Sequence, residues 1–343
     1  VMPDPSLDAY VLYRQGLEAS RQPISMDTIA TALGWYDGAL AVDPEYAAAL
    51  AGKCAMYVEA YDEMDDASFI EKAESACATA LSLNPNLDVV HVALGDLHRF
   101  TGDLADAESF YMRALEIDPS RSEALTGLGI VYARQNRPDE AEASFHKAVD
   151  IHPGDAQTYN RLGVFYFETG RFPEAVEQYQ YAIALEPNNM NAYTNLAAAY
   201  MLAGNFASAA IAHQRTLEIE PTAIAYSNLG LMHYYNGDFD DAIASHAKAI
   251  ELEPNDYLGR SNLGDSLWNA GRKEEAQREF LKAETMAEKA LEVNPNDPFT
   301  MMDLAWIHAM LDKHGEAREL MNKALVMAPD DPYTYYYDGI VLM

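Results

Sequence analysis

Between residues 122 and 155 the apolar positions fall three and four apart: Leu125, Leu128 and Tyr132, then, after a polar break, Ala141, Phe145 and Ala148. That spacing puts each set on one face of a helix, so the stretch reads as two short amphipathic helices joined by a turn. The pattern returns at intervals of about 34 residues along nearly the whole chain, the signature of stacked units that bury their apolar faces against one another. Small residues mark the first helix of successive units at Gly95, Gly129, Gly163, Gly230 and Gly264. Alanines mark the second at Ala107, Ala141, Ala175, Ala209, Ala242 and Ala276, and again at Ala114, Ala148, Ala182 and Ala249.

The breaks between helices have physical readings. Gly102, Asn136, Gly170, Gly204, Gly237 and Gly271 stand between the two helices of a unit, where a left-handed residue ends the first. The second helix opens on an acid at Asp106, Glu140, Glu174, Asp241, Glu275 or Glu316, which suits the positive end of the helix dipole. Pro119, Pro153, Pro187, Pro221 and Pro254 close the units, because proline disfavours helical geometry in the residue before it. Glycine inside a helix costs about 1 kcal/mol of propensity, and close approach of the paired helices is the expected compensation.

These residues resemble the tetratricopeptide repeat. The resemblance implies an all-α, right-handed superhelical solenoid of antiparallel helix pairs, forming one array over 1–343. The units run 9–46, 47–87, 88–121, 122–155, 156–189, 190–222, 223–256, 257–297 and 298–331, with 332–343 as part of a tenth. Three depart from the norm: the first around Arg21–Asp27, the second in an acidic insert near Glu59–Asp66, and the eighth in a longer second helix, Lys273–Val293. An insertion of about seven residues is two helical turns, so the same face stays inward.

The formal charge of −31 excludes a phosphate backbone as the expected partner, since that needs a basic face. It argues equally against an anionic membrane surface, and no apolar run reaches transmembrane length. A neutral or basic protein partner is permitted, with an attraction that salt weakens. The chain begins at Val1 and ends inside a repeat, which reads as an excised segment, expected in the cytoplasm.

The two cysteines, Cys54 and Cys77, sit on facing helices of one unit. They read as reduced, buried, small apolar residues, with a disulfide as the alternative if geometry allows. His98, His233 and His308 take the place of Tyr132, Tyr166 and Tyr200, while His213 and His246 take that of Tyr111, Phe145 and Tyr179. They read as packing residues with a polar edge near water; a metal cluster of His213, His233 and His246 is the sharper alternative. No nucleotide-binding, hydrolase or metalloprotease motif occurs, and no enzyme activity, cofactor or metal is expected.

The resemblance places function on the first helices, which line the inner groove of such arrays. Arg161, Asn195, Asn228 and Asn262 share one register position. Recurrent asparagines offer amide donors and acceptors matched to an extended peptide backbone, and are similar to the asparagine ladder of O-linked N-acetylglucosamine transferase. Amides that merely cap neighbours are the alternative. Asn160, Asn191, Tyr234, Tyr235, Trp268, Asn269 and Trp306 complete the expected groove; the aromatics also fit simple packing. A clamp for acidic chaperone tails needs recurrent cations, and only Arg161, with Arg134 nearby, qualifies. The N-terminal run Asp8–Gly16 and the run Tyr36–Pro44 resemble repeat regions of bacterial signalling proteins that carry winged-helix regulators, class III adenylate cyclases or Ser/Thr kinases. The expected function is thus a non-catalytic scaffold binding an extended peptide; a regulatory or assembly module of a longer signalling chain is the alternative. The last helix, within Tyr333–Met343, presents Tyr335, Tyr336, Tyr337, Ile340, Val341 and Leu342 for end-to-end self-association.

Overall fold

A computed structural model describes residues 6–22, 25–64 and 66–341. Contacts divide the chain into two compact units, Val1–Asn189 and Met190–Met343. The first holds α1 (Leu7–Ser20), α2 (Met26–Val42), α3 (Ala47–Met64), α4 (Ser68–Leu83) and α5 (Asp88–Thr101). It continues with α6 (Leu104–Ile117), α7 (Ser122–Arg134), α8 (Pro138–Ile151), α9 (Ala156–Glu168) and α10 (Phe172–Leu185). The second holds α11 (Met190–Leu202), α12 (Phe206–Ile219), α13 (Ala223–Asn236), α14 (Phe239–Leu252) and α15 (Tyr257–Asn269). It ends with α16 (Lys273–Val293), α17 (Pro298–Met310), α18 (His314–Met327) and α19 (Pro332–Val341). The described residues are thus all-helical, and odd and even helices form antiparallel pairs, α1 with α2 through α17 with α18.

Local chemistry explains the breaks. Gly102, Gly170, Gly204, Gly237, Gly271 and Asn136 all have positive φ, as expected, and Asp312 does the same work in the last complete repeat at φ 61°. Residues before the closing prolines are extended, as at Asp118 with φ −128° and ψ 97°. Their carboxyl or amide oxygens then accept from the backbone two residues on, Asp118 Oδ1 from Ser120 N at 3.0 Å and Asn84 Oδ1 from Asn86 N at 3.2 Å. The acidic insert of the second repeat lengthens α3 to 18 residues, and Asp65 lies outside the described residues. The long second helix of the eighth repeat is α16, 21 residues against 14 in α14.

The mid-helix glycines are explained by rings rather than by backbone contact alone. A Cβ on Gly95 would lie 2.5 Å from the Tyr111 ring, one on Gly129 2.8 Å from Phe145, and one on Gly163 2.5 Å from Tyr179. Each second helix thus seats an aromatic residue on the glycine of its partner, and these rings are almost wholly buried. In the second unit Phe280 sits on Gly264 and His246 on Gly230.

Successive repeats are also joined by a recurring clasp. Glu108 accepts from Arg137 at 2.9 Å, and Arg137 stacks on Tyr132. Glu142 accepts from Arg171 at 2.8 Å and from the Tyr166 hydroxyl at 2.8 Å, and Arg171 stacks on Tyr166. The Arg171 guanidinium lowers the pKa of the Glu142 carboxyl. In each, a second helix supplies the acid and the next repeat supplies tyrosine and arginine.

Three expectations are corrected. Cys54 and Cys77 form a disulfide between α3 and α4, with Cα atoms 5.4 Å apart, within the span that a bridge requires. The polar edges of His246 and His308 are not near water: His246 is 0% exposed and neither ring nitrogen makes a hydrogen bond. His308 is likewise only 5% exposed. Finally, α19 turns Tyr337, Ile340 and Val341 inward onto the Met301, Met302 and Met321 cluster. Tyr333, Tyr335 and Tyr336 stay exposed, while Leu342 and Met343 lie outside the described residues.

Candidate peptide-binding surfaces

In the first unit the first helices touch in succession, α3 with α5, α5 with α7 and α7 with α9, and in the second unit α13 touches α15 and α17 touches α19. Second helices make appreciable contact with first helices alone. The pairs therefore fan apart on the side of the second helices and close up on the other, so each unit is concave along its first helices.

In the second unit this concave face gathers a polar and aromatic cluster. Tyr235 is 54% exposed and stacks on Phe206, and Tyr234 meets Tyr235 and Phe239 edge-on. Asn269 Nδ2 donates to the Tyr234 hydroxyl at 3.1 Å, which ties α15 to α13. Trp306 Nε1 donates to Asp265 Oδ1 at 3.1 Å, which ties α17 to α15. Asp303 accepts from two hydroxyls, Tyr257 at 3.0 Å and Tyr337 at 2.9 Å. Burial pushes the Asp265 carboxyl up to about 7, against the hydrogen bond from Trp306. Burial also raises Asp303, against its bonds from Tyr337 and Tyr257. Among the described residues neither carboxylate has a cationic partner within salt-bridge distance, and the hydrogen bonds both accept come from neutral donors.

The expected ladder residues Asn195, Asn228 and Asn262 are half-buried on α11, α13 and α15, and Asn191 is exposed. Asn195 is already engaged within the chain. Trp268 packs against the buried cluster that includes Leu263 and Leu267, with Lys273 over its ring at 4.6 Å. Asp303 was not anticipated, although it continues the register of Asn195, Asn228 and Asn262, and that register was the signal for it.

Asn160 and Arg161 belong to the first unit. There Arg99 donates to Tyr111 at 3.3 Å, and Tyr111 to Asp96 at 2.6 Å. Arg134 donates to the Arg99 carbonyl. Burial, then the Arg99 charge, lowers the pKa of Arg161, and burial, then Asp96, raises that of Glu59. This patch is of mixed sign, unlike the acidic face of the second unit. His213 and His246 are each lowered to about 4 by burial, with His233 adding to the effect at His246. The grouping of His213, His233 and His246 does not occur as a metal-binding cluster; among the described residues the grouping with that geometry is Glu284, Glu288 and His308. No helix among the described residues is long and apolar enough to cross a membrane.

Stacked helix pairs with a ring seated on a small residue define a helical-repeat solenoid. Tetratricopeptide-repeat family models match residues 92–156 and 275–332, 165–204, and 221–296. The chain belongs to the tetratricopeptide-repeat family. No curated protein matches it. Among solved structures, the APC/C hetero-tetramer Cut9-Hcn1 is similar over 98% of this chain and 55% of its own, at 16% identity and TM-score 0.57. Human IFIT1, solved as a dimer with m7Gppp-AAAA, is similar over 94% of this chain and 72% of its own, at 19% identity and TM-score 0.57. Both likenesses concern the fold. The MamA protein shares 31% identity over 49% of this chain and 92% of its own, at TM-score 0.44.

Proposed function

We propose that the concave face of the second unit holds an extended, basic segment of a protein partner, and that the chain is a non-catalytic scaffold. The observation that carries this reading is the pair of half-buried acids, Asp265 and Asp303, hydrogen-bonded by tryptophan and tyrosine and without a cationic partner among the described residues. A lysine or arginine side chain would supply the missing counter-charge, and a charge-assisted hydrogen bond to a desolvated carboxylate is among the stronger polar contacts. Asn195, Asn228 and Asn262 would hold the peptide backbone, and Tyr234, Tyr235 and Trp306 would frame its side chains. The likeness of the N-terminal run to bacterial signalling proteins would place this surface beside an effector in a longer chain. Exposed Tyr333, Tyr335 and Tyr336 would be the part of α19 open to self-association. A Cys54–Cys77 bridge persists where thiols are oxidised, which would set the chain in an oxidising compartment and not in the cytoplasm.

The test is a random-peptide selection on the full chain, followed by affinity measurement of a selected peptide. Enrichment of lysine or arginine is expected. Affinity should rise between pH 6 and 8, because Asp265 titrates at about 7 and attracts a cation only when ionised. Asp265→Asn should abolish that rise. The Asn195→Ala, Asn228→Ala, Asn262→Ala triple variant should weaken binding with helix content intact. Selection of acidic peptides, or binding indifferent to both variants, would refute the reading.

A further inference from the structure

The clasp between the eighth and ninth repeats departs from its counterparts in three ways. His308 stands where the others have Tyr132 and Tyr166, and Lys313 where they have Arg137 and Arg171. The third change lies on α16: Glu288 stands one turn beyond Glu284, where the other clasps have Met112 and His146 one turn beyond Glu108 and Glu142. Ligand atoms of Glu284, Glu288 and His308 all lie within 4.8 Å of one another.

The histidine does not reproduce the clasp it replaces. Tyr166 donates to its glutamate. His308 is 5% exposed, and its Nε2 lies 2.9 Å from Glu284 Oε1, yet neither ring nitrogen makes a hydrogen bond. A buried imidazole thus points at a buried carboxylate without a shared proton in line. Lys313 Nζ occupies the same oxygen at 2.5 Å, and Glu288 and Glu316 also act on that ammonium. Unlike the arginines of the other clasps, which stack on an aromatic ring and grip with a fork, lysine is a flexible point charge whose stem is partly exposed.

We propose that Glu284, Glu288 and His308 bind a divalent first-row transition ion, with Lys313 as the cation that leaves when it arrives. One imidazole and two carboxylates are ligands that zinc accepts, with water completing the coordination. The ion would replace a flexible ammonium by a bond network fastening α16 to α17, so its role would be to lock two repeats together.

The full chain, freed of metal with a chelator, is titrated with zinc chloride by calorimetry and by thermal unfolding. One saturable equivalent and a raised Tm are expected. Three variants test the ligands. His308→Tyr restores the residue used in the other clasps, so it should fold and lose the response to zinc. Glu288→Gln changes an exposed side chain and should weaken binding by more than about tenfold, the scale on which even ligand-supporting groups act. Lys313→Ala removes the competitor and should tighten it. Absence of saturable binding overturns the proposal. So does binding that survives both His308→Tyr and Glu288→Gln, which would place the ion elsewhere.

Discussion

His246 occupies a socket in which the equivalent repeats place Phe145 and Phe280, and it leaves both ring nitrogens buried without partners. Each unsatisfied buried polar group costs about 1–3 kcal/mol, so His246→Phe should stabilise the second unit by about 1–2 kcal/mol at pH 7.5 after allowance for the larger ring. The pH dependence is the sharper test. The folded value is about 4 against 6.5 for the free imidazole. Between those limits the unfolded chain binds the proton and the folded one does not. Stability from the neutral ring is therefore complete above pH 6.5 and is lost progressively as pH falls toward 4. Proton linkage puts that loss at about 2 kcal/mol between pH 7.5 and pH 5. Urea unfolding of wild type and His246→Phe at both pH values isolates it. The variant should gain about 2 kcal/mol more at pH 5 than at pH 7.5, while His213, lowered for the same reason, keeps its own share. An equal gain at both pH values would show that His246 titrates normally in the folded chain, and the buried socket would be wrong.

Other expectations follow from the same geometry. Asp312 holds φ at 61° where most repeats use glycine; Asp312→Gly should raise stability by about 0.5–1 kcal/mol, read as a higher Tm. Gly129→Val would put a side chain against the Phe145 ring, whose carbons lie 2.8 Å from the new Cβ position; a loss of about 3 kcal/mol is expected from overpacking, measured by urea midpoint, with far-UV circular dichroism retained. Reduction of the Cys54–Cys77 bridge, which spans a sequence separation of 23, should cost about 3 kcal/mol by loop-closure entropy. That loss should appear in the first unit under dithiothreitol, and the Cys54→Ala, Cys77→Ala double variant should show no response to the reductant.

The features set by a single residue type were legible before any coordinates. Glycine at five helix ends and asparagine at Asn136 announced left-handed backbone, and the structure has it at all six. Asp312 escaped because aspartate enters that region without advertising it. The long α16 was visible as an insertion that keeps its face, but the meeting of Glu288 with His308 needs the register between repeats. The same holds for the clasps, whose acid and base lie on different repeats. Positions of Cys54 and Cys77 on facing helices were readable, whereas bond formation depends on a Cα separation that no spacing rule supplies. Asn195, Asn228 and Asn262 were found by their register. Asp303 shares it, and its hydrogen bonds to two tyrosines are a product of how α15, α17 and α19 stack.

The bridge between α3 and α4 has a mechanical meaning. A stack of repeats pulled from its ends yields one pair at a time, because each pair is held mainly by its neighbours. Cys54 and Cys77 close a covalent loop across a single pair. When the force reaches that pair, tension passes through the sulfurs and the segment between them bears none. About 80 Å of contour length, from a separation of 23 residues at full extension, is withheld while the bond is intact. The N-terminal end of the array thus carries a short tether whose reach is set by the thiol redox state of its surroundings.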